Sequence, residues 1–166
     1  MKNRKKTILG LLAAVIGAII LTAATEETRS DIVASVGTAT VTKHQVGGNA
    51  SYVAWNVVLT GNGSGSVTVR LPDLHGQMLA FSADPSVCDA NWDFTLTDAM
   101  SQDLAFGDGA NLSNSTTTML PTFIEIGGTD TAMPVPVVGC ADLEVTNLGA
   151  SGVATLRFFM LAHQGE

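Results

Sequence analysis

The sequence predicts an all-β fold: an antiparallel β-sandwich, Ig-like or jelly-roll-like, of about nine strands, preceded by one N-terminal hydrophobic helix. Three observations predict it. β-Branched residues are abundant and fall in short runs separated by Gly, Asn, Asp and Ser clusters. Apolar and polar residues alternate with period two through much of the chain after Asp31, the mark of half-buried strands. Turn signals recur roughly every 8–12 residues, and no helical periodicity follows Ala24. The 166 residues are 46% hydrophobic and 14% charged, enough apolar surface to offset the entropy of ordering one domain with an appendage.

The appendage is residues 1–30: a basic cluster, a signal or anchor helix and a short linker, Thr25 to Ser30. Lys2, Arg4, Lys5 and Lys6 precede 18 uncharged, mostly apolar residues, Thr7 to Ala24. At 1.5 Å per residue such a helix is about 27 Å long, close to the thickness of a hydrocarbon core. The basic flank stays on the cytoplasmic side and sends the remainder outward. Thr22-Ala23-Ala24 offers small residues for a signal peptidase, whereas the length of the run favours a retained anchor. Both readings stand, beside a third in which the helix is buried in a protein assembly.

Residues 31–166 are read as a single sandwich domain. "IVASVGTATVTKHQV" and "SYVAWNVVLTG" open it, and "GNGSGS" is a hairpin turn leading into "SVTVRLP", where Val67, Val69 and Leu71 share one face. "GQMLAFSADP" follows, stopped by Pro85. "WDFTLTD" and "QDLAF" alternate and can form a hairpin around Ala99–Ser101. "MLPTFIEIGG" carries Pro121, which belongs at a sheet edge or bulge. "AMPVPVVG" is held extended by its prolines. "ADLEVTNLG" and "GVATLRFFML" close the body; the last is its most hydrophobic run and is placed centrally in a sheet.

Charge excludes one class of partner. Beyond residue 6 only Arg29, Lys43, Arg70 and Arg157 stand against 15 acids, so the body repels phosphate backbones and no nucleic acid is expected. No catalytic residue is assigned. The chain has no GxSxG, and His44, His75 and His163 have no zinc-ligand spacing. "GNGSGS" lacks the Lys and the following helix of a phosphate loop.

Carboxylates are the one conspicuous chemical set: Asp84, Asp89, Asp93, Asp98, Asp103 and Asp108 recur every four or five residues. Asp89-x-Asn91-x-Asp93 begins like a calcium loop, but Phe94 and Met100 stand where an EF-hand needs Gly and Glu. Asp89, Asn91, Asp93 and Asp108 therefore form a loose calcium candidate; the competing reading is that these aspartates hold turns through backbone amides. No other cofactor is expected. Cys88 and Cys140, with no CxxC spacing, are a disulfide candidate in an exported chain, worth about 3–4 kcal/mol if formed; the alternative is two free thiols. Trp92 lies too close to Cys88 for the immunoglobulin Cys–Trp–Cys pattern.

Three stretches then carry a resemblance: "WNVVLTGNGSGSVTVRLPDLHGQMLAFSADP", "NWDFTLTDAMSQDLAFGDGAN" and "ADLEVTNLGASGVATLRFFML". Their order resembles small β-domain virion structural proteins of tailed bacteriophages and prophages, of the decoration or tail-associated type. The matching parts are Gly76 to Leu79, Asp84-Pro85, Asp93 to Asp98, Asp103-Leu104, Gly107 to Asn111 and Leu143 to Leu161. Where such proteins carry Gly in the turn after Asp98, this chain has Ser101; where Arg follows the loop Asn, it has Leu112. Such proteins do not generally begin with a membrane segment, a difference that a virus with an internal membrane would reconcile.

The resemblance implies a non-enzymatic virion structural protein acting as an assembly, decoration or membrane-linking subunit. Its implied partners are other virion structural proteins and itself as a homo-oligomer, with a membrane engaged through residues 7–24. The alternative is an exported bacterial envelope or adhesion module, at the cell membrane or secreted. A calcium-dependent carbohydrate-binding domain is its variant.

Overall fold

The computed structural model describes residues 24–46, 52–72, 74–125 and 132–161. Twelve strands run through them: β1 (Ala24–Thr28), β2 (Ala34–Val36), β3 (Thr38–Val46), β4 (Tyr52–Thr60), β5 (Val67–Leu71), β6 (Gly76–Val87), β7 (Asp93–Asp98), β8 (Thr118–Pro121), β9 (Phe123–Glu125), β10 (Ala132–Val137), β11 (Ala141–Thr146) and β12 (Val153–Leu161). They form two antiparallel sheets. The larger has the order β1-β3-β4-β12-β6-β10-β9, with β8 also on β6; the smaller is β2-β5-β11-β7. Most successive strands lie in different sheets, a sandwich-like arrangement in which each crossing closes over a common core.

The alternation read from the sequence decides what that core contains. Val53, Trp55, Val57 and Leu59 of β4 and Ala154, Leu156, Phe158 and Met160 of β12 are buried, and Val67, Val69 and Leu71 answer them from the smaller sheet. Phe81 of β6 and Phe94 of β7 join the sheets edge to face, ring centroids 5.0 Å apart at 89°. Such a pair adds about 0.5–1.5 kcal/mol beyond the area it buries. β12 is central, paired with β4 over its whole length and with β6 through two register shifts. Pro121 ends β8, whose other side has no partner strand, so its missing N–H breaks no ladder.

Four local expectations are corrected. "IVASVGTATVTKHQV" is two strands in two sheets, broken at Gly37, whose φ is +67° and whose Cβ would stand 2.7 Å from the carbonyls of Ser66 and Thr60. "GNGSGS" is not a hairpin turn: β4 and β5 belong to different sheets, and the loop arches between them. Asn62 shapes the arch, its Oδ1 accepting from the amides of Ser64 and Ser66 at 2.9 and 3.0 Å. Of the six residues read as a linker, Thr25 to Thr28 lie in β1 and pair with β3. The Arg29 amide then donates to the Val41 carbonyl at 2.9 Å. The preceding apolar residues read as a helix lie outside the described residues, Ala24 excepted.

The fourth correction concerns "QDLAF". It is no strand but a chain of turns that runs back along the outer edge of β7. Three contacts mark the return: Leu104 N to Leu96 O at 2.8 Å, Phe94 N to Gly109 O at 2.9 Å, and a two-way bridge between Trp92 and Leu112. Side-chain carboxylates win the amides that a ladder would have used. Asp103 accepts from Ala105 N at 3.0 Å and Gly107 N at 2.8 Å, coiling the segment in place. The return covers an edge that would otherwise invite another strand.

Candidate functional site

The aspartate ladder falls in sequence between β6 and the loop after β7, and the structure shows where each carboxylate goes. Asp93 opens β7. Its Oδ1 accepts the Asn111 amide at 2.6 Å and its Oδ2 accepts from Asn147 Nδ2 at 2.7 Å. Both oxygens therefore tie other loops to the strand. Asp98 closes β7 and is 6% exposed; its Oδ1 takes the amides of Met100 and Gln102, each at 2.9 Å. That capture bends the chain so that Ser101 reaches φ +64°, the left-handed region, at the position where the resembling proteins carry Gly. Asp84 accepts from Thr117 Oγ1 at 2.8 Å and lies 3.5 Å from Arg157.

The calcium candidates separate in role. Asp93 is occupied as described. Asn91 donates to Asn111 Oδ1 at 3.1 Å. The Asp89 carboxylate lies against Gly149, where a Cβ would collide with it. Asp108 is exposed in the return segment, its amide donating to Ala105 O at 2.9 Å. Among the described residues no three His, Cys, Asp or Glu side chains are grouped so as to hold a metal ion.

The disulfide candidate is corrected. Cys88 and Cys140 are both free thiols. Cys88 follows the last residue of β6, whereas Cys140 lies three residues beyond Val137, which pairs with the first residue of β6. A twelve-residue strand lies between these ends, about 35–40 Å at 3.3 Å per residue, against a Cα separation under about 7 Å in a disulfide. Cys88 is half-buried, with its Sγ 3.4 Å from the Val153 carbonyl, and burial pushes its thiol above the usual range.

Cys140 accepts from the Arg70 guanidinium at 2.6 Å, and Asp142 lies 3.7 Å from the same group. Both contacts, the thiol first, hold the guanidinium above its ordinary pKa. Arg29 makes a two-pronged contact to Asp31 at 2.9 and 2.7 Å, which holds that exposed carboxyl below its ordinary value. His75 Nδ1 accepts the Gly139 amide at 3.2 Å, His44 sits on β3, and His163 lies outside the described residues.

One grouping escaped the sequence reading. Trp55, 2% exposed, has the Lys43 ammonium 5.5 Å and the Arg29 guanidinium 5.8 Å from its ring centroid. The signal was present: aligning β3 on β4 pairs Lys43 with Trp55. No protein-family model matches this chain, and no curated protein matches its sequence.

Proposed function

We propose that the chain is a non-enzymatic virion structural protein, an assembly, decoration or membrane-linking subunit. In this reading the body is a jelly-roll-like or Ig-like sandwich held outside the cytoplasm, and residues 7–24 lie in a membrane. One observation carries it: the most chemically conspicuous side chains, Asp93, Asp98 and Asp103, spend their oxygens on backbone amides and a neighbouring amide side chain. They build shape. The resemblance in residue order supports the virion assignment. The uncovered edges of β1 and β2 support self-association.

The test is compositional. Purified particles should contain the protein in many copies per particle. Recovery only from the envelope fraction of uninfected cells overturns the virion reading in favour of the exported envelope module. A melting temperature unmoved by calcium and by EDTA is expected; a rise of several degrees with calcium would instead favour the carbohydrate-binding variant.

A further inference from the structure

We propose that the body rests on the bilayer surface through the end that carries Tyr52, Leu161, Val138 and Met100, an inference that depends on residues 7–24 being embedded in the membrane. The apolar run ends at Ala24, and Ala24 is already the first residue of β1, paired with Val46. No free tether follows it. Glu26 pairs with His44 and Glu27 with Lys43, and the Arg29 amide is bonded to Val41. A chain leaving lipid at Ala24 is therefore locked to the large sheet from its first residue outside.

That attachment selects one end of the sheet. The cross-strand row containing Ala24 continues through Val46, Tyr52, Leu161 and Gln77. At about 4.8 Å per strand, the row spans about 20 Å beside the point where the chain would emerge. The same end carries the connection after β10, with Val138 65% exposed. Short connections also bring the ends of β5 and β11 here, and Asp98 pairs with Ala141, so the turn holding Met100, 76% exposed, belongs to this end too. An aromatic with a polar tip beside exposed apolar side chains suits the headgroup boundary.

The opposite end lies about 30 Å away along the nine-residue strands β4 and β12. Its loops expose Gly63, Ser64, Asp89, Asn91, Asn147 and Ser151, with Val87 the large apolar residue exposed there among those described. This end suits water.

The experiment uses the full chain in phosphatidylcholine vesicles, with Cys88→Ser and Cys140→Ser and one fluorophore-labelled cysteine at Val138→Cys, Met100→Cys or Gly63→Cys. All three sites are exposed, and a Cβ at Gly63 meets nothing within 4 Å. A lipid with a headgroup nitroxide should quench the labels at 138 and 100 at least about threefold more than the label at 63, because the ends stand about as far apart as a hydrocarbon core is thick. Equal or reversed quenching in vesicles that carry the chain overturns the inference and leaves the membrane reading intact. Failure of the chain to float with vesicles on a density gradient overturns both. Labels at 138 and 100 shielded from aqueous iodide yet untouched by the nitroxide would place a protein, not lipid, against this end, and overturn it as well.

Discussion

The two ends of the sandwich close their turns by different physical means. At the end formed by residues 61–66 and 147–152, the chain turns on glycine. Gly65 and Gly149 have φ of +74° and +88°, and the two loops approach so closely that a Cβ on Gly65 would stand 2.5 Å from the Gly149 nitrogen. At the other end, residues 98–102 turn on a carboxylate. Asp98 collects two amides and thereby holds Ser101, a residue with a side chain, in the same left-handed region. One end removes the steric obstacle; the other outweighs it with hydrogen bonds. Glycine allows dense loop-on-loop packing, whereas the carboxylate leaves its turn exposed, with Met100 in solvent.

Substitutions can break that contrast. The largest effect is expected at Gly65→Ala, where a left-handed φ and a backbone collision combine to cost about 3 kcal/mol. Gly63→Ala, two residues away in open space, should stay within about 0.5 kcal/mol; urea denaturation of both variants measures the difference. Asp98→Ala comes next. It strands the Met100 and Gln102 amides and should cost about 2 kcal/mol by the same assay.

Ser101→Gly runs the other way. Relieving a left-handed serine while Asp98 keeps its bonds should raise stability by about 1 kcal/mol, and the gain should vanish in the Asp98→Ala background if the carboxylate is what enforces the turn.

The smallest effect concerns the thiols, one at each end. A reductant should leave the urea midpoint unchanged, because Cys88 and Cys140 are not joined. Burial disfavours the Cys88 thiolate, so Cys88 should react slowly with a thiol reagent near pH 8 and rapidly once urea unfolds the chain.

These contrasts also explain what was legible in the sequence. Val67, Val69 and Leu71, or Ala154 to Met160, announce themselves because burial on one face of a strand writes a period of two. The central place of β12 was readable from its hydrophobicity. The return segment was not, because Leu104 and Phe106 alternate like a strand while Asp103 decides otherwise by taking amides at 105 and 107. Twelve strands stand where about nine were expected because Gly37 divides one run and because β1 and β9 are short pieces whose pairing is fixed by distant partners. The roles of the aspartates were legible as a choice between metal cradle and turn lock. Only the positions of Asn111 and Asn147, far from Asp93 in sequence, assign its oxygens.

β12 fills the gap between β4 and β6, yet residues 153–161 follow every other described strand in sequence. During synthesis the ribosome delivers both flanking strands long before the piece that joins them, so neither can complete its ladder and each offers a bare hydrophobic margin. Folding of this kind is slow and waits on distant contacts. A nascent chain with such exposed margins stays competent for threading through a translocation pore, and it needs a chaperone's shelter until the missing middle arrives.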